Sequence, residues 1–192
     1  NREGLTMEFD LQEYKSAWKL DETVRHCNHG SFGAVPTVVQ EAQRAIQDRV
    51  QLNLVRFFAR EAMPEVQAAR AKIAAFLNQK PEQIALVRNT TEAASTTMRG
   101  FPFKPGDEAI VLDHEYGAVI YAVQRAVEAA GGKLVEVPVP RLATDEEVVA
   151  IVKASFTPRT RLFVVDHVTS ATARTFPIQA LSDLCREHGI AI

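Results

Sequence analysis

The chain has 192 residues, of which 46% are hydrophobic and 24% charged, and its formal net charge is −2. That is the make-up of a globular protein with room for a sizeable core. It contains no lysine- and arginine-rich block that would favour nucleic acid as a partner, no apolar run near the roughly 18–20 residues that span a bilayer, and no basic-then-apolar secretory start, so a cytoplasmic protein without a membrane partner is expected.

In chain order, residues 8–19 can form a short helix. Residues 24–35 read as loop, with Asn28, Gly30, Ser31 and Gly33 supplying turn conformations. Pro36 suits the first position of a helix reaching about Val50. Residues 53–60 carry no clear signal. A helix follows over 61–77, with Val66, Ile73 and Leu77 on one face. The pattern then changes. Ile84-Ala85-Leu86-Val87 is a short apolar run of the kind buried on both faces of a sheet, and residues 91–99 read as helix. Lys104-Pro105-Gly106-Asp107 is a turn, 109–112 a second strand, 116–130 a helix, and 133–137 a third strand. Thr144 with Glu147 makes a capping box for a helix ending near Ser155. Residues 161–165 form a fourth strand, 178–188 a helix, and Ile190-Ala191-Ile192 opens a further strand. Strands alternating with helices of this length imply parallel βαβ units with right-handed crossovers.

Three polar segments each follow a strand and precede a helix. They are Asn89-Thr90-Thr91-Glu92, Asp113-His114-Glu115-Tyr116 and Asp166-His167-Val168-Thr169-Ser170. In an open α/β sheet, ligands bind beyond the carboxyl ends of the strands, so the three should meet at one rim. Thr90 and Thr91 combine hydroxyls with the free N–H groups of a helix start, which favours an anion, although plain capping by Asn89 is the alternative. Neither phosphate-binding glycine motif is present. His114 could stack on a flat ring or move a proton, or be hydrogen-bonded locally; Tyr116 could do the stacking instead. Asp166 and His167 could face a ligand or merely pair with each other. Cys185 falls on an apolar helix face with Leu181 and Leu184, as a core residue does. Cys27, beside His26 and His29, lies in a loop, and no metal motif is formed.

Together these residues bear a resemblance. Asn28-His29-Gly30-Ser31-Phe32-Gly33-Ala34, Val55-Arg56-Phe57-Phe58-Ala59-Arg60-Glu61, the 89–93 segment, Pro105-Gly106-Asp107-Glu108, the 113–119 segment and the 166–170 segment follow the order of the class V aminotransferase family. Within these fold type I pyridoxal-phosphate enzymes, the set is most similar to isopenicillin N epimerase-like proteins. The resemblance covers about residues 24–192. It implies an α/β fold, the N-terminal part of a fold type I large domain, with a mainly parallel sheet, flanking helices and a truncated end. Residues 1–35 would be an N-terminal segment with the substrate-entrance loop, and 36–192 the partial cofactor-binding domain.

The resemblance also implies roles. Pyridoxal 5'-phosphate would be the cofactor. Thr90 and Thr91, with Asn89, would hold its phosphate, and His114, with Tyr116, would lie against its ring. Ser170 would stand near the ring hydroxyl, where related cysteine desulfurases carry an asparagine. Asn28, His29, Gly30 and Ser31 would border an amino-acid substrate, and the full-length protein would be a homodimer. Its chemistry needs a Schiff-base lysine and a carboxylate at the pyridinium nitrogen. No lysine in this chain follows a strand at the expected rim, so both groups are expected beyond Ile192, and no catalytic residue is assigned here. Epimerase, lyase, desulfurase and aminotransferase outcomes stay open, as does a non-catalytic module that binds a phosphorylated ligand.

Overall fold

The computed structural model describes residues 11–30 and 32–192, with side chains described from Tyr14 onward. The chain divides into two compact units, one ending at Ala85 and the other running from Leu86 to Ile192.

The first unit is helical. After α1 (Leu11–Ser16), the Trp18 indole N–H donates to Ala34 O at 3.2 Å, closing the 17–34 loop on itself. Helix α2 (Thr37–Leu52) begins one residue after Pro36. Residues 53–61, which carried no sequence signal, form α3 (Leu54–Arg56) and a wide π-helical turn, Phe57–Glu61, that runs into α4 (Ala62–Phe76). Pro64 lies just past that turn. Proline lacks the N–H that would bond into the preceding turn and its ring crowds the carbonyl there, and a wide turn removes the conflict. Arg49 of α2 pairs with Glu61 at 3.0 Å and Glu65 at 2.6 Å, and its guanidinium lies 5.6 Å from the centre of the Phe57 ring.

The second unit contains the sheet. Strands β1 (Glu108–Leu112), β2 (Lys133–Val137) and β3 (Thr160–Val164) are parallel in the order β2-β1-β3. Ala191 adds a parallel bridge to Leu162, so the last residues begin to extend the sheet beyond β3. Helices α5 (Thr90–Gly100), α6 (Gly117–Ala129), α7 (Asp145–Ser155) and α8 (Ile178–Glu187) flank it. Side chains alternate along β1. Ala109 and Val111 pack with Met98 of α5 and Val119, Val123 and Val127 of α6. Ile110 and Leu112 pack with Val148 and Val152 of α7 and Leu181, Leu184 and Cys185 of α8. β1 is therefore buried on both faces, as its unbroken apolar run requires. The capping box of α7 forms as expected: Thr144 Oγ1 accepts from Glu147 N, and Glu147 Oε2 accepts from Thr144 N at 2.7 Å.

One expected strand is missing. Residues 84–87 are extended but unpaired among the described residues, and Leu86 and Val87 are each 46% exposed. The segment joins none of the three strands, although β2 keeps an open outer edge, and an extended segment without a partner is not a strand.

Candidate functional site at the carboxyl ends of the strands

The strand order decides where a ligand could enter. The connection leaving β1 passes through α6 on one face of the sheet, and the connection leaving β3 passes through α8 on the other. Between two neighbouring strands whose connections part in this way lies a crevice, the usual ligand position in open α/β sheets. The segments that meet there are 113–116 after β1 and 165–177 after β3.

The second segment folds into a small hairpin, with Val168 bridged antiparallel to Thr175 and Ala173 at a φ of 52° in its turn. His114 reaches it. His114 Nδ1 lies 3.2 Å from Thr172 Oγ1 and Nε2 lies 2.8 Å from Val139 O, while the Phe176 ring stands edge-on at 5.7 Å. The imidazole is buried. Asp113 Oδ1 accepts from Val139 N at 3.0 Å, and the Arg174 guanidinium donates to the carbonyls of Pro140, Arg141 and Ala143. The loops after all three strands are thus tied together through polar groups of the first and third. Ser170, on the hairpin, is exposed, and Tyr116 presents its ring to solvent at the start of α6.

Helix α5 brings its own N-terminus to the same end. Met98 and Arg99, late in α5, share a surface cavity with Ala126, Ala129 and Ala130, at the end of α6 and just past it. The two helices therefore run side by side in the same direction, and Thr90 and Tyr116 lie at the same end of the unit. Asn89 is the cap: its Oδ1 accepts from Glu92 N at 2.9 Å, and Glu92 accepts from Arg88 N at 2.9 Å. Capping uses the N–H of Glu92 and leaves those of Thr90 and Thr91, with both exposed hydroxyls, directed outward. Capping and anion binding, which the sequence left as alternatives, are compatible here.

Glu115 is the residue that sequence reasoning missed. It is 8% exposed; Oε1 accepts from Tyr116 N at 3.0 Å, and Oε2 has no protein donor. Burial, reinforced by the charge and contact of Asp166, pushes its carboxyl up to about 7. Nothing local announces this, since it depends on burial in the fold and on Asp166, in the segment after β3. A carboxyl raised on folding is favoured in its protonated form, so its stabilising contribution is complete below its ordinary value of 4.5 and is lost as pH rises through about 7. Glu115→Gln should flatten the fall of melting temperature with pH across that window. An unchanged slope in thermal melts over a pH series would show that another group titrates.

The residues expected to border a substrate fall in the first unit. Asn28 Oδ1 accepts from Gly30 N at 3.1 Å, and His29 Nδ1 accepts from Ala34 N at 3.3 Å, with the His26 ring edge-on at 4.5 Å. Ser31 lies outside the described residues. The cysteines offer little chemistry. Cys185 is buried, which raises its thiol to about 11 and disfavours the thiolate, and the Cys27 thiol donates weakly to Arg25 O. No cluster of metal-ligating side chains occurs among the described residues.

Residues 33–192 match the family described as aminotransferase class-V. The chain belongs to that family. This class-V chain is 30% identical to a putative L-cysteine desulfhydrase 1 from Oryza sativa subsp. japonica, over 87% of its own length and 38% of the relative's. It is 29% identical to isopenicillin N epimerase from Amycolatopsis lactamdurans, over 89% and 44%. Among solved structures it superposes on the cystine C-S lyase C-DES, in complex with the product cysteine persulfide, with a TM-score of 0.73 and 26% identity, over 81% of this chain and 42% of that one. A C-DES mutant with glycine covalently linked to its PLP cofactor matches equally well. The class-V chain thus spans about two fifths of the length of these relatives. The α/β architecture with a parallel sheet agrees with the fold type I resemblance read from the motifs.

Proposed function

We propose that the chain is the cofactor-cradling portion of a pyridoxal-phosphate enzyme that acts on an amino acid. The observation that carries this reading is the meeting of the start of α6 and the hairpin after β3 at the crevice between β1 and β3, with the capped start of α5 in the same unit. The groups present fit the cofactor. Thr90 and Thr91 offer two N–H donors and two hydroxyls to a phosphate at the positive end of α5, as Asn89 holds that turn in shape. The half-exposed Tyr116 ring can lie against a pyridine face, and the Ser170 hydroxyl can meet a ring oxygen. Bound there, the cofactor would supply an electron sink for the carbanion left when the substrate α-proton departs. The tied loops around His114 and Arg174 keep those contacts in place. Asn28, His29, Gly30 and Ser31 are assigned to the substrate side, and 36–192 to the cofactor-binding domain, with 1–35 preceding it.

The Schiff-base lysine is assigned elsewhere, Lys15, Lys19, Lys72 and Lys80 belonging to the first unit. Lys104 and Lys133 lie at the start of β1 and β2, and Lys153 in the last turn of α7, all toward the opposite rim. We assign the Schiff-base lysine and the pyridinium carboxylate to the length of the relatives that this chain does not span. No helix among the described residues is long and apolar enough to cross a membrane, and a cytoplasmic homodimer is the assembly proposed. Exposed Leu52, Val55, Phe58 and Phe76 support further protein, from the same chain or a second copy, covering the first unit.

The relatives divide between sulfur-eliminating and epimerising enzymes, so the test uses the step they share. The full-length protein with pyridoxal phosphate should exchange the α-proton of an amino acid, with L-cysteine among those tried, for solvent deuterium. Sulfide release or racemisation would then sort the outcome. Absence of both bound cofactor and exchange would end the proposal. Thr90→Val with Thr91→Val should weaken cofactor binding by about 10–100-fold, as expected for losing hydrogen bonds to a charged group, measured by titrating the apoprotein.

A further inference from the structure

We propose that His114 is a positioning residue and not a ring-stacking one: as the neutral imidazole protonated on Nε2, it receives the Thr172 hydroxyl on Nδ1 and so holds the 168–175 hairpin, with Ser170, at the crevice. The link to Ser170 rests on the cofactor reading above; the tautomer does not.

With the ring neutral, as proposed, the direction of every hydrogen bond follows from the donor inventory. A carbonyl oxygen can only accept, so the contact to Val139 O at 2.8 Å places the ring proton on Nε2. In the neutral ring Nδ1 is then an acceptor, and at 3.2 Å it takes the single proton of Thr172. With that proton committed, the 2.7 Å contact between Thr172 Oγ1 and Thr169 Oγ1 must be donated by Thr169. Thr169 Oγ1 in turn accepts from Arg174 N at 2.9 Å. The chain therefore runs one way, from the Arg174 amide through two threonine hydroxyls and the imidazole to the Val139 carbonyl. Each polar hydrogen in the chain has an acceptor.

A second proton on the ring would break this order. Nδ1 would become a donor, Thr172 Oγ1 would take that proton on a lone pair, and the Thr172 hydroxyl hydrogen would lose its acceptor on the ring. The charged groups around the ring are few. Asp113 Oδ1 lies 3.7 Å from Nε2 and already accepts from Val139 N. Glu115 follows in the chain with its carboxyl turned to the Tyr116 N–H and Asp166. Arg174 spends its guanidinium on three carbonyls of the loop after β2. The Phe176 ring covers another side, which leaves His114 8% exposed and without an open face for a cofactor. Tyr116, 51% exposed, has one.

Nitrogen-labelled NMR of the full-length protein without cofactor tests the tautomer directly. The expected result at neutral pH is an Nε2-protonated ring with an unprotonated, hydrogen-bonded Nδ1. An Nδ1-protonated tautomer, or an imidazolium, would overturn the proposal without touching the cofactor reading. Cofactor titration then tests positioning. Thr172→Val should lose the Nδ1 hydrogen-bond signature and weaken cofactor binding by about 10-fold, while Thr172→Ser restores both to within about 2-fold. Equal affinity for wild type and a folded Thr172→Val would refute the positioning role. Failure of the wild type itself to bind cofactor would count against the proposed function alone.

Discussion

Replacing Phe163 with alanine should lower unfolding free energy by about 3–5 kcal/mol, the range for deleting a buried aromatic side chain. Phe163 is fully buried in β3. Its ring belongs to the core between the sheet and the α7–α8 layer, with Ile110, Leu112, Leu181 and Cys185. β1, α7 and α8 all contribute to that core, so no single element can shift to close the space. Its amide also donates to Ala191 O at 2.8 Å, which couples β3 to the last segment of the chain. Urea unfolding should show a lower midpoint at an unchanged slope. Phe163→Leu, which keeps most of the volume, should cost less than about half as much. A loss below about 1 kcal/mol for the alanine variant would mean that the core can collapse around the gap, and that β3 is less firmly fixed than its burial indicates.

The second large effect is expected at Glu108, at the opposite rim from the crevice. Its carboxylate is 1% exposed, yet it is fully partnered. Thr157 Oγ1 donates to Oε2 at 2.6 Å, Arg159 Nε donates to Oε1 at 2.9 Å, and Lys133 Nζ stands 3.4 Å from Oε1. The two cations are themselves largely exposed, so solvent screens part of the attraction. Glu108→Ala should therefore cost about 2–4 kcal/mol, toward the lower part of what breaking a buried ion pair does. The Thr157 hydrogen bond foremost, then Arg159 and Lys133, hold the carboxyl below its ordinary range. A group depressed on folding stabilises the native state above its unfolded value, and that contribution disappears as pH falls through the folded value. Acid should thus narrow the gap between wild type and Glu108→Ala in urea midpoints. A gap that stays constant into acid would show that the carboxylate contributes by packing alone.

The two predicted effects lie on residues of unequal legibility. Phe163 could be read as core directly from the apolar run 162–165. So could most of the second unit, because its helices and strands follow local period, capping and turn chemistry that long-range contacts reinforce. Thr144 and Glu147 formed the box their spacing announces. Residues 84–87 show the limit. Their composition suits a buried strand, but pairing is a property of two segments, and composition names only one of them. Glu108 and Glu115 show it again. Each is an acid whose burial depends on partners far along the chain, Thr157 and Arg159 for one and Asp166 for the other. At the crevice, the segments 113–116 and 166–170 were legible from their place after strands. The part of Thr172 was not, because a hairpin turn at residues 170–173 had to bring its hydroxyl under His114. The residue type alone left stacking and local bonding equally open, and the local bonds show only where the fold brings Thr172 and Val139 to the two ring nitrogens.

The strict alternation along β1 sets a parity rule on this region of the gene. A one-codon insertion or deletion inside β1 would send Ile110 and Leu112 toward the α5–α6 layer and deliver Ala109 and Val111 to the other, mismatching both helix layers at once. A two-codon change would keep each side chain on its original face and disturb only the ends. Length variation among homologues should therefore skip β1 altogether.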